Sequence, residues 1–154
     1  MSERFLLLER SIQHDLEAIE RLYTAIGSYH LGDDASEEEL IVLAYRLHNL
    51  FNAFENVFQN IAAVFENTLD DATRWHAQLL QRMRLDLMPM RPAVIDEAAY
   101  DALDELRRFR HLFRHAYDVE LDPQRLRLVL HKAMHLHGVY RPQFESFLDF
   151  VRTL

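Results

Sequence analysis

Apolar residues recur every three or four positions along most of the chain, the spacing of amphipathic helices. Phe5, Leu8, Ile12, Leu16, Ile19, Leu22, Tyr23 and Ile26 predict a first helix from Ser2 or Glu3 to about Ser28, with Gly27 and Gly32 flanking its end. Ser36 and Glu39, three apart, form a capping-box pair that opens a second helix. Leu40, Leu43, Leu47, Leu50, Phe54, Val57, Ile61 and Val64 then alternate in steps of three and four, and Phe51, Phe58 and Phe65 widen the stripe. So wide a stripe belongs to a core or interface helix. Asn49, Asn52, Glu55, Asn56 and Asn60 are embedded in it. Facing water accounts for most of them; a supporting role behind a site, or a dimer contact, is the other expectation.

Asp70 to Thr73 break the chain, and a third helix of about four turns is expected to carry Trp75, Leu79, Leu80 and Met83. Residues 87–95, with Pro89 and Pro92, read as a connecting loop. Asp96 is an N-cap for a fourth helix holding Tyr100, Leu103, Leu106, Phe109 and Phe113. Asp122 followed by Pro123 starts the last helix, which runs towards Val151, with Gly138 and Pro142 expected to bend it. Short connections make this an all-α, antiparallel bundle of about five helices, one domain over residues 1–154. With only three glycines and four prolines, a turn-rich β fold is disfavoured.

The absence of cysteine excludes a disulfide, a thiolate nucleophile and a thiolate metal site. No window reaches the roughly 18 apolar residues that span a bilayer, so no membrane association is expected. The N-terminal apolar run is broken by Glu9 and Arg10 and lacks the features of a signal peptide, so a cytoplasmic location is expected.

Net charge is −8, but unevenly spread: residues 1–103 carry 8 basic and 18 acidic side chains, residues 104–154 carry 9 and 7. The second part also holds five of the nine histidines. Arg107, Arg108, Arg110 and Arg114 lie within eight residues, interleaved with His111 and His115 and followed by Tyr117. Ordinary salt bridges on a solvated face would account for such a cluster. Its coincidence with the histidines favours a local phosphate site instead. A patch this small suits a transient RNA substrate better than tight duplex binding, and no DNA partner is expected.

Arginine grips phosphate with paired hydrogen bonds, and histidine moves protons near neutral pH. Those groups can cleave RNA without a metal or other cofactor: the 2′-hydroxyl attacks, the 5′-oxygen leaves, and a 2′,3′-cyclic phosphate remains. On a continuous helix, however, positions five apart are rotated by roughly 140°, so Arg110 and His115 diverge. Either the helix ends near residue 113, re-aiming His115, or a second chain completes the site. A twofold dimer would bring two motifs together and supply separate acid and base groups. His111 is the other candidate within one chain. A metal bound by His111 and His115, or by His131, His135 and His137, is a third reading; the absence of any Glu-x-x-His counts against a carboxylate-bridged di-metal bundle. His48 and His76, the latter beside Trp75, are expected to be satisfied core or boundary histidines.

The series from Leu47-His48-Asn49 through Phe54-Glu55-Asn56 to Ile61-Ala62 resembles the second helix of HEPN-domain ribonucleases of the HepT-like toxin family. Trp75-His76, Leu79-Leu80 and Met83, then Arg91-Pro92-Ala93-Val94, continue the likeness, and Arg110-x4-His115-x-Tyr117 completes it. The resemblance implies a HEPN-like helical bundle that dimerises through the motif. It implies an endoribonuclease toxin with Arg110 and His115 in catalysis and His111 in support. Arg107 and Arg114 are the expected substrate-binding residues. It further implies a minimal nucleotidyltransferase antitoxin as partner, which in some members transfers AMP onto the tyrosine matching Tyr117. The rival expectation is a non-catalytic helical module that binds such a partner through the phenylalanine-rich second helix.

Overall fold

The structure is a computed structural model and describes residues 2–27, 31–66, 75–115 and 121–154. Among these, five helices follow in order: α1 (Glu3–Ile26), α2 (Glu37–Phe65), α3 (Trp75–Met83), α4 (Glu97–His115) and α5 (Pro123–Arg152). The caps are chemical and local. Ser36 Oγ accepts from the Glu39 amide at 3.2 Å, Asp96 accepts from the Ala99 amide at 2.9 Å, and Asp122 accepts from the Gln124 amide at 3.0 Å. Pro123 fills the first turn of α5, where a missing amide proton costs nothing. That helix continues through Gly138 and Pro142 to Arg152.

The long-range pairs fix the directions of the helices. Asp15 meets Asn56, while Arg4 meets the Val64 carbonyl, so α1 and α2 are antiparallel. Glu9 meets Arg152 and Tyr23 meets Ala133, so α1 and α5 are antiparallel too. Phe54 packs on Tyr140 and Phe65 on Phe150, which sets α5 parallel to α2. Glu105–Arg125 and Asp96–Gln143 make α4 and α5 antiparallel.

The core is the wide stripe of α2. Phe51, Phe54 and Phe58 are buried, and Phe54 and Phe58 meet Phe144 edge-to-face at 5.9 and 6.0 Å. An interaction module built on these phenylalanines therefore has no such surface to offer; they are core, not interface. Asp15 is also buried, with Asn56 Nδ2 donating to both its oxygens at 3.1 Å. Burial pushes the Asp15 carboxyl up, partly offset by that hydrogen bond and by His14.

Of α3 the structure describes the nine residues Trp75–Met83; the expected break at Asp70–Thr73, and any earlier turn of this helix, lie outside the described residues. Its end is set from a distance. Arg91, fully buried, reaches back to the Arg82 and Leu85 carbonyls at 2.9 and 3.2 Å, and the Val94 amide takes the Met83 carbonyl at 2.8 Å. The carbonyls at the end of α3 are satisfied by the returning loop, so no further turn is required.

Candidate active site

α4 is laid against α2 in antiparallel fashion, with His48 opposite Phe113 and Asn52 opposite Arg110. Arg110 Nε donates to Asn52 Oδ1 at 2.6 Å, which holds one edge of the guanidinium and fixes its plane. Since arginine only donates, the oxygen of Asn52 faces Arg110 and its amide nitrogen donates to His48 Nε2 at 3.2 Å. A neutral His48 then carries its proton on Nδ1. The Phe113 ring, 5.7 Å away, packs beside the His48 imidazole. Three side chains from two helices are thereby linked in one chain of hydrogen bonds ending at the motif arginine.

The other motif residues divide. His111 is exposed on α4. The side chains of Arg114 and His115, and all of Tyr117, lie outside the described residues, but the backbone of α4 runs on as helix through His115. The described helix thus includes the two residues after position 113. Positions 110 and 115 consequently stand on different faces, rotated by about 140°.

The arginine cluster is partly matched within its own helix. Arg107 Nε bonds Asp104 at 2.8 Å, and Arg108 lies 3.4 Å from Asp104 and 3.1 Å from Glu105. For Arg107 and Arg108 the plain salt-bridge reading describes what the structure contains. A phosphate at Arg107 would share that guanidinium with Asp104. Of the histidines in the metal reading, His137 bonds Glu20 at 3.2 Å and stacks on Tyr23 at 4.1 Å. Among the described residues, no three histidine or carboxylate side chains converge in a metal-binding group.

Over residues 42–151 the sequence matches the family described as HepT-like protein. The chain belongs to the HepT-like family. No curated protein and no solved structure shows significant similarity to it. In this HepT-like chain the matched stretch runs from the first turns of α2 to the end of α5, so it contains Asn52, Arg110 and His115. Membership suggests a HEPN-type nuclease or toxin, and with it dimerisation and a toxin–antitoxin partner in general. No described helix is long and apolar enough to cross a membrane.

Sequence reasoning placed Asn52 and Glu55 among polar residues of open role, and the structure gives each a partner. Asn52 holds Arg110; Glu55, buried, accepts a 2.6 Å hydrogen bond from His76 Nδ1. The signal was in the numbers: His48, Asn52 and Glu55 stand at i, i+4 and i+7, one face of a helix that is otherwise apolar there. Nothing in the spacing named their partners on other helices.

Proposed function

We propose that this HepT-like chain is a metal-independent endoribonuclease, the toxin of a toxin–antitoxin pair, acting in the cytoplasm as a homodimer. The observation that carries the reading is Arg110 pinned through Nε by Asn52 on a helix that continues unbroken through His115. A guanidinium held in plane is prepared to meet two oxygens of a phosphorane as its charge builds. His115 takes the proton of the 2′-hydroxyl, with His111 in support and Arg107 and Arg114 on flanking phosphates. Because positions 110 and 115 diverge on one helix, a second copy completes the arrangement around a twofold axis. The partner is a minimal nucleotidyltransferase that transfers AMP onto Tyr117. An added phosphodiester there would place negative charge and bulk beside the arginines and shut the site.

The test is expression of the chain alone beside His115→Ala and Arg110→Ala, scoring growth and RNA ends. Arrest with 2′,3′-cyclic phosphate and 5′-hydroxyl ends, lost in both variants while the dimer persists, is the expected result. Intact RNA with every variant, from a chain that carries no adduct on Tyr117 by mass, overturns the proposal.

A further inference from the structure

One histidine outside the motif is held as a proton-transfer group would be. His76 Nδ1 donates to Glu55 Oε2 at 2.6 Å, and the carboxylate side chain is 6 % exposed while the imidazole is 31 % exposed. The Trp75 ring lies 4.3 Å from the imidazole, tilted by 33°. A buried carboxylate on one nitrogen settles which nitrogen is engaged and leaves Nε2, across the ring, for exchange with something outside.

Its place in the fold is what matters. α3 runs parallel to α2, with His76 opposite Glu55 and Arg82 opposite Glu66. α4 runs antiparallel to α2, with Asn52 opposite Arg110 and His48 opposite Phe113. Following both registers, His76 comes level with the turn of α4 that precedes Arg110, the turn carrying Arg107. On α2 itself, Asn52 and Glu55 are three apart and so are surface neighbours, about 5–6 Å between Cβ atoms. The side chain that holds Arg110 and the one that orients His76 are thus adjacent, each contacting a different helix.

The geometry points to His76, oriented by Glu55, as the acid that protonates the leaving 5′-oxygen in the ribonuclease reaction proposed above, on which this inference rests. The step balances within the residues named. His115 accepts the 2′-hydroxyl proton as the O2′–P bond forms. The P–O5′ bond breaks, its electron pair stays on O5′, and the His76 imidazolium delivers the Nε2 proton to that oxygen. His76 then recovers a proton from solvent. The chain would in this way carry its own acid, and the second copy's His115 is not needed for that role.

A sulfur-for-oxygen substitution at the leaving group separates the roles, because a thiolate leaves without being protonated. The full-length chain is assayed on a single-stranded RNA oligonucleotide that it cleaves at one bond, and on the same RNA with that bond's 5′-oxygen replaced by sulfur. His76→Ala is expected to lose about 100-fold or more on the oxygen substrate and little on the sulfur one. His76→Gln and Glu55→Gln are expected to show the same selective loss, smaller for Glu55→Gln; Arg110→Ala is expected to lose on both. The ratio of the two rates does not depend on how much of a variant is folded, so a poorly stable variant still reports. Equal loss on both substrates, or full activity of His76→Ala on the oxygen substrate, overturns the assignment and leaves the ribonuclease reading standing. A wild-type chain that cleaves neither RNA overturns that reading, and this one with it.

Discussion

Arg91 shows what a single residue contributes when all its partners are internal. It has no exposed surface, pairs with Glu66, and bonds the Arg82, Leu85 and Pro92 carbonyls. Removing the guanidinium leaves Glu66, 8 % exposed at its side chain, with the more distant Arg82, at 3.5 Å, as its remaining ion-pair partner among the described residues. Arg91→Ala is therefore expected to cost about 3–5 kcal/mol and to lower Tm by on the order of 10 °C. Arg91→Met with Glu66→Leu should recover part of that loss, since it removes both charges together but still leaves the Arg82, Leu85 and Pro92 carbonyls without the Arg91 donors. Thermal unfolding of the two variants checks both statements. In the proposed ribonuclease, Asn52 is the residue-scale counterpart for function. Asn52→Leu takes away the acceptor that holds Arg110 and is expected to slow cleavage by about 100-fold, whereas Asn52→Asp, which keeps an acceptor, loses less. In an Arg110→Ala background Asn52→Leu should cost less than in wild type, because that part of its effect passes through Arg110. Single-turnover cleavage of RNA measures each corner of that cycle.

Between elements, the clasp of α1 on α5 carries a pH signature. Tyr140 donates to Glu20 Oε1, His137 Nε2 lies 3.2 Å from Oε2, and Arg141 is 3.9 Å away. Burial pushes the Glu20 carboxyl up, but the hydrogen bonds from Tyr140 and His137 and the nearby His137 and Arg141 charges hold it below its ordinary 4.5. A carboxyl depressed by folding contributes stability that is present above 4.5 and lost as pH falls through the folded-state value. Glu20→Gln should accordingly flatten the acid limb of stability below about pH 4.5 and leave it parallel to wild type above that. Urea unfolding across that range checks it. The same element scale marks what the sequence could disclose. Ser36 with Glu39, Asp96 and Asp122 with Pro123 were legible because a cap bonds within its own turn. The end of α3 was not, because the residue that satisfies it, Arg91, returns from a loop. Nor were the tasks of Asn52 and Glu55, whose partners lie 58 and 21 residues away on other helices. Periodicity names the buried face of a helix; it does not say which helix a polar residue on that face will meet.

For the whole molecule, the unbroken run of α4 through His115 decides how a site could be assembled. With Arg110 and His115 on different faces of one helix, the simplest arrangement that serves one phosphate draws motif residues from two copies around a twofold axis. A shared site of that kind can be rebuilt from two damaged chains. When Arg110→Ala and His115→Ala chains are mixed one to one, unfolded together and refolded, about half the dimers carry one chain of each, and one of the two sites in such a dimer joins an intact Arg110 to an intact His115. If the site is shared, activity returns to about one quarter of the wild-type value although neither variant alone cleaves. If each chain carries a complete site, no pairing restores it. The expected outcome is the recovery, read from RNA cleavage at constant total protein. A mixture as inactive as its parts would return Arg110 and His115 to a single chain, and would require His115 to reach Arg110 around a helix that runs unbroken from one to the other.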